Sequence, residues 1–585
     1  MKRFLKYFKG LRFLKYLKGA WPAVLLAPAM MILEVLCDLM QPSIMAEIVD
    51  DGIRGGGGTD FILRAGLKMV GIALIGFIGG AGSLYFATKA SQHFGYSLRK
   101  DVFHKIQEYS FANIDHFSSA SLVTRNTNDV VMLMMVVGMA LRMLVRAPMT
   151  FVGGIIHAIS IKPDLAMVLA VSIPLLLLTI FIVVRKTFPM FSQVQYKLDR
   201  VNAVIQENLT GIRVVKAFDR AQHEDDRFGE ANMEYVQLSI RANQIMSFMM
   251  PVISMIMNVT IVAVLWFGAK LVGAEEMEVG EVSAFIQYIT RILGSLMMMS
   301  MMFMSLSRAQ ASAGRISEVL DEKIDIVSPE KPVADSVARG SVEFKNVSFR
   351  YRGAGGDPAL RNISFKAEPG ETVAILGSTG SGKSTLVNLI PRLYDATEGE
   401  VLVDGINVKD YEVEGLRKGI GMVLQNVILF TGSISDNLRW GKADATDEEV
   451  REAAAMAQAE EFISKNPDGY DATLGQRGVN FSGGQKQRLS IARALIKKPK
   501  ILILDDSTSA VDTATEAKIR ACFNNQLKGT TVIIIAQRIS SARNADKILV
   551  MENGQIVDVG NHDSLMRNSR VYQEIYYSQL EKEEA

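Results

Sequence analysis

Cysteine is almost missing from this chain. Its two cysteines, Cys37 and Cys522, stand far apart in 585 residues. That excludes a disulfide framework and a cysteine metal site, and it fits a reducing, cytosolic side. Histidine is scarce too: there are six in all, and His562 alone lies beyond residue 340. Charge of one sign is missing, since 64 basic against 62 acidic residues leaves a net +2. A chain so balanced has no excess with which to neutralise a phosphate backbone, so no nucleic-acid partner is expected. No acidic residue occurs in the first twenty positions. The apolar run that opens at Trp21 is too long for a signal peptide, and no small-residue cleavage pattern closes it, so a cleaved signal is not expected.

Apolar residues are abundant. They make up 49% of the chain, and the mean hydropathy is positive, which soluble proteins rarely reach. The long runs cluster in the first half, at about 21–40, 67–86, 147–161 (extending back through Leu141), 165–184, 245–267 and 282–303. Each is near the ~20 residues a helix needs to cross ~30 Å of hydrocarbon. These six runs predict a membrane domain over residues 21–315. Short connections alternate with two long polar ones, of helical pattern, which predict helices running out of the membrane and back on the cytoplasmic side.

The first twenty residues carry R-F-L-K-Y-x-K-G twice, from Arg3 and from Arg12. Interleaved basic and aromatic residues at helical spacing predict an amphipathic helix over 1–20, lying in the headgroups of an anionic leaflet. By the positive-inside rule this end is cytoplasmic. After residue 315 the pattern changes. Residues 316–339 are charged and broken by Pro329 and Pro332, as a linker is, and 340–585 alternates strands and helices as an α/β domain does.

Two phosphate-binding patterns lie in that domain. Gly377, Ser378, Thr379, Gly380, Ser381, Gly382, Lys383 and Ser384 follow the apolar strand 372–376 and precede a helix continued by Thr385. This is a P-loop: the glycines let backbone N–H groups wrap phosphates, Lys383 reaches the β- and γ-oxygens, and Ser384 offers a hydroxyl to Mg²⁺. ATP and Mg²⁺ are the implied cofactors. The strand 501–504 ends in Asp505 and Asp506. Asp505 suits the Mg²⁺ shell, although a helix N-cap carboxylate would read the same way. Phe481-Ser482-Gly483-Gly484-Gln485 opens a strongly patterned helix, a second anion-binding geometry.

Here the chain resembles the ABC transporter family. F-S-G-G-Q is similar to its signature, Tyr351 stands like its adenine-stacking aromatic, Gln425 like its Q-loop glutamine and a third Mg²⁺ ligand, and Ser509–Asp512 like its D-loop. With six preceding spans the resemblance covers the whole chain. It implies an exporter-type half-transporter, a membrane all-α six-helix domain joined to a cytoplasmic α/β P-loop domain. It implies a cell-membrane, multi-pass protein with the N-terminus and nucleotide domain in the cytoplasm. ATP would lie between the P-loop of one subunit and Ser482, Gly483, Gly484 and Gln485 of the other. The coupling helices would fall in 118–129 and 207–218.

The chain departs from the family at two positions. The residue after the Walker B aspartate is usually a glutamate that activates water; here it is Asp506, one methylene shorter. The switch histidine is replaced by Gln537, which cannot carry charge. The signature stays intact, and a signature acts on the partner's nucleotide. The resemblance therefore implies the degenerate subunit of a heterodimer, whose partner keeps the glutamate and histidine. A working homodimer with tolerated variants is the alternative.

The cargo is less legible. Met297–Met304 holds six methionines in eight residues, and flexible thioethers suit a polyspecific apolar cavity for amphipathic drugs or lipids as well as packing. Glu34, Asp38, Arg142, Arg146 and Arg291 fall within spans. Charges at that depth face a cavity or one another; mutual pairing is expected for the arginines, and the carboxylates stay open. An importer on the exporter fold and a nucleotide-gated regulatory membrane protein are the other functional readings.

Overall fold

The computed structural model describes residues 12–507 and 510–584. The chain divides into two compact units, one of residues 1–106 with 120–321 and one of 107–119 with 322–585. The first eleven residues of the basic N-terminal segment lie outside the described residues.

The first unit is helical. Its long elements are α1 (Trp21–Glu47) and α2 (Gly58–Gln107), and, after the short α3 (Phe111–Phe117) of the other unit, α4 (Val130–Ile161), α5 (Pro163–Thr210), the short α6 (Ile212–Ala217), α7 (Ala221–Ser247), α8 (Met249–Gly273) and α9 (Val279–Asp321). Pro22 and Pro163 sit in the first turns of α1 and α5, where the missing N–H removes no helical bond. Six of the described helical segments are long and apolar enough to cross a membrane. Their apolar side chains point outward: Leu67, Phe77 and Ile78 of α2 are more than 60% exposed. Water would penalise such a surface and hydrocarbon does not. At 50 and 48 residues, α2 and α5 extend well past the ~20 residues a bilayer needs.

Three features of this unit differ in extent from their outlines in the sequence. The third span lies within an unbroken helix from Val130, because Arg142 and Arg146 interrupt the apolar run without interrupting the backbone. The last helix continues to Asp321, so irregular chain begins at Glu322. Residues 12–20 form a 3₁₀ segment, and Phe13 and Tyr16 are buried, with Tyr16 edge-on to Phe94.

The second unit is built on two sheets. An antiparallel sheet has the order β2-β1-β4-β5, with β1 Val342–Phe349, β2 Leu360–Ala367, β4 Glu398–Val403 and β5 Ile406–Asn407. A larger sheet joins β3 (Thr372–Gly377), β6 (Ile420–Val423), β7 (Ile501–Asp505), β8 (Thr531–Ile535), β9 (Lys547–Glu552) and β10 (Gln555–Gly560) in the order β10-β9-β3-β8-β7-β6. All neighbours in it are parallel except β9 and β10. Its central strands are buried on both faces and read as continuous Val, Ile and Leu. Asp404 ties the start of β1 down by accepting from the backbone N–H groups of Ala338, Arg339, Gly340 and Ser341 at 2.8–2.9 Å.

α3 belongs to this second unit. Ser110 and Asn113 form a reciprocal capping box, Ala112 packs on the core, Phe111 lies 6.0 Å from the Tyr394 ring, and Tyr394 donates to Asp115 at 2.7 Å. The family resemblance implies the first coupling stretch at 118–129. The docked element is instead Phe111–Phe117, and Ser118 is only its C-cap.

The candidate nucleotide site

Sheet register brings three chain segments to one edge. Ile535 pairs with Ile375 on one side and Asp505 on the other, and Met551 pairs with Gly377. The carboxyl ends of β3, β7 and β8 are therefore level. This is where an open parallel sheet offers its loops to a ligand.

The loop after β3 is shaped by glycine. Gly380 and Gly382 have φ of +85° and +94°, in the left-handed region, and a Cβ on Gly377 would meet Met551 O at 2.2 Å. Lys383, Ser384 and Thr385 begin α10 (Lys383–Asn388). Lys383 Nζ donates to Gly377 O at 2.8 Å and Ser378 O at 2.7 Å. Burial holds its ammonium below the ordinary lysine value, against the pull of Asp505 and Asp506. Ser378, Thr379 and Gly380 are exposed at the tip, and Ser381 is buried beneath. Tyr351 is half-buried, packs edge-on against Phe349 and Tyr394, and its hydroxyl lies 3.0 Å from that of Thr385.

Ser384 donates to Asp505 at 3.1 Å. A hydroxyl and a carboxylate converging at the mouth of the P-loop are oxygen ligands of the kind a hard cation takes, so the residues fit Mg²⁺. Burial pushes the Asp505 carboxyl above the usual range, and the neighbouring Asp506 adds to this.

Asp506 is locally unusual. It has φ +48°, a left-handed conformation that aspartate tolerates better than most residues. Its side chain accepts from Gln537 Nε2 at 2.8 Å and from Gln425. Burial raises its carboxyl as well, with Gln425, Lys383 and Arg538 opposing. The two positions at which the chain departs from the family pattern are thus bonded to each other.

Ser482 and Gln485 form a capping box at the start of α11 (Gly483–Leu495). Ser482 Oγ accepts from Gln485 N at 3.3 Å, and Gln485 Oε1 accepts from Ser482 N at 2.9 Å. Ser482 and Gly483 are exposed. Gly484 packs on the D-loop, where a Cβ would meet Ala510 O at 2.7 Å. Ser509 lies outside the described residues; Asp512 caps α12 (Thr513–Gln526) by accepting from Thr515 N.

Two residues carry no signal in the sequence. Buried Gln487 accepts from Ala510 N at 3.0 Å and ties the signature helix to the D-loop. Gln579, on the C-terminal helix, donates to Gln537 O at 2.8 Å and accepts from Ile539 N at 2.9 Å. The first sits just past a motif that draws the eye, and the second depends on a contact 42 residues away, which no local pattern encodes.

Comparison with known proteins matches residues 24–297 to the ABC transporter transmembrane region and 360–509 to the ABC transporter family model. The chain is 44% identical to the uncharacterized ABC transporter ATP-binding protein YfiB of Bacillus subtilis, over 95% of this chain and 96% of that one. It is 40% identical to the uncharacterized ABC transporter ATP-binding protein MT1311 of Mycobacterium tuberculosis, over 94% of each. A solved structure of a bacterial Atm1-family ABC exporter with ATP bound superposes with TM-score 0.77 at 25% identity, covering 97% of this chain and 98% of that one.

Proposed function

The chain belongs to the ABC transporter family, as a multi-pass membrane protein of exporter fold with a C-terminal cytoplasmic ATP-binding domain, and we propose that it is the degenerate half of a heterodimeric exporter of amphipathic drugs or lipids. In this reading its own P-loop binds ATP and releases it slowly, while its signature completes the partner's competent site.

The observation that carries the reading is the bond between Asp506 and Gln537. A general base must reach the attacking water within hydrogen-bond distance. Asp506 is a methylene short of glutamate, and two amide donors hold its carboxylate. Gln537 spends its Nε2 on that carboxylate, and a neutral amide cannot take up the charge that a histidine would. The rest of the cradle is complete. Gly377–Ser384 wraps phosphates, Lys383 meets the β- and γ-oxygens, Ser384, Gln425 and Asp505 supply the Mg²⁺ ligands, and Tyr351 supports the adenine. Mg²⁺, when bound, neutralises charge on the phosphate oxygens. The signature Ser482, Gly483, Gly484 and Gln485 keeps an ordered, exposed helix N-terminus, which serves an anion held by a second chain.

The test is steady-state ATP hydrolysis by the purified full-length chain. Turnover is expected to be very low for the chain alone and to rise at least tenfold with its partner. Robust turnover by a homodimer would overturn the assignment.

A further inference from the structure

Four charged side chains of the first unit meet between helices α1, α4 and α9, and a fifth, Arg142, stands one turn from Arg146 on α4. Arg146 pairs with Glu34 and, at 3.3 Å, with Asp38; Arg291 lies 3.7 Å from the same Asp38 carboxylate. Arg142, one turn from Arg146, makes no ion pair among the described residues, and its Nε is enclosed without an acceptor. Glu34 Oε2 is likewise enclosed without a donor. The pairing expected for the arginines thus exists for two of them and not for the third.

The sum does not depend on which pairs form. Three guanidiniums, Arg142 being one turn from Arg146, stand against two carboxylates, so every rearrangement of partners leaves one positive charge over. Arginine does not lose its proton in proteins, so the cluster cannot shed that charge. Around it the helices pack Met31, Val35 and Leu39 of α1 against Val145, Met149 and Tyr288, an apolar surround in which an uncompensated charge is costly. The cluster is not sealed: the side chains of Asp38 and Arg291 are 34% and 29% exposed.

We propose that this cluster is the headgroup site for the cargo, and that the cargo is an amphiphile with a single anionic headgroup, a carboxylate or a phosphate monoester. The proposal rests on the transport reading above and narrows it. The anion completes the charge balance through Arg142 and Arg291, and the apolar surround takes the tail. A cationic amphiphile would add to the existing excess and is disfavoured on the same grounds. Planar guanidiniums suit either anion through paired N–H donors.

The experiment measures binding and needs no turnover. The full-length chain in a neutral detergent is titrated with a fluorescent long-chain fatty acid, its methyl ester, the phosphate monoester of the same tail, a quaternary ammonium of the same tail, and inorganic phosphate as competitor. The two anionic amphiphiles are expected to bind at least tenfold tighter than the ester and the ammonium, and inorganic phosphate to compete weakly. Arg142→Gln should erase that preference. Asp38→Asn, which raises the excess positive charge, should strengthen it, a gain that misfolding does not produce. Equal binding of ester and acid, preference for the ammonium, displacement by inorganic phosphate alone, or an anion preference that survives Arg142→Gln would each overturn the proposal. If the preference holds but vesicles reconstituted with the assembled pair show no ATP-dependent movement of the fatty acid, the transport reading fails and the binding site stands.

Discussion

At Asp506 two carboxylates adjoin in sequence at the end of a buried strand, and burial raises both above the usual range. A raised folded-state value contributes stability that is present below the unfolded value and is lost as pH rises through the folded one. Without nucleotide, the ATP-binding domain is therefore expected to lose stability as pH climbs from the ordinary carboxylate range through those raised values. Asp506→Asn keeps the shape and an acceptor for Gln537 while removing a charge. It should flatten that slope and raise the apo melting midpoint near pH 7 by ~2–4 °C, about 1 kcal/mol for a domain of this size. Calorimetry across pH checks both; a lowered midpoint would contradict the burial argument. The opposite change tests the proposed loss of chemistry. Asp506→Glu with Gln537→His is expected to raise hydrolysis at this site at least tenfold, within the ~10²–10⁴ that a positioned acid–base group supplies. Either substitution alone should do less, because the other residue still holds or fails to release its neighbour. Burial would raise the Asp404 carboxyl, but four backbone donors outweigh this and hold it below the usual range. Asp404→Ala is expected to cost ~1–3 kcal/mol by removing the charged acceptor that four backbone N–H groups share, two of them part-buried, read from denaturant unfolding.

Helix α3 is held by few contacts. Its seven residues are too few to be stable alone, so the capping box and the contacts to Tyr394 hold it. Burial and the Asp115 carboxylate both push the Tyr394 hydroxyl upward, so it stays a donor at physiological pH. Tyr394→Phe should speed amide exchange across 111–117 about fivefold, as loss of about 1 kcal/mol of local docking would. Unchanged exchange would show that apolar packing alone holds the element. This helix is not legible in the sequence, for a physical reason. Its box closes with Asn113 in place of the Glu or Gln that marks such a start, and seven residues give no periodicity to count. The spans are legible because an unbroken run of ~20 apolar residues matches the thickness of hydrocarbon and little else in a folded chain. At the start of the third span the pattern falls short, because Arg142 and Arg146 break the run, and the carboxylates accompanying Arg146 lie on another helix. The P-loop and the strand ending at Asp505 are legible because glycine spacing and an apolar run ending in a carboxylate are local. The Asp506–Gln537 bond is not, because it joins residues 31 apart that meet only through parallel strand register.

For the whole molecule the account is one of asymmetry: a cradle built to hold ATP, a base position tied to a glutamine, and a signature left intact for another chain. Substitutions should therefore weigh unequally in the assembled pair. Ser482→Arg, which fills the exposed signature start, is expected to nearly abolish ATPase activity. Asp506→Ala should cost little if that site already turns over slowly, as proposed; similar large losses from both would contradict the asymmetry. The most direct measurement follows labelled ATP through turnover of the assembled pair, then identifies the nucleotide at each site by crosslinking to the chain whose P-loop holds it. The account predicts intact triphosphate on this chain after many turnovers and diphosphate on its partner. Diphosphate recovered equally from both chains would contradict it.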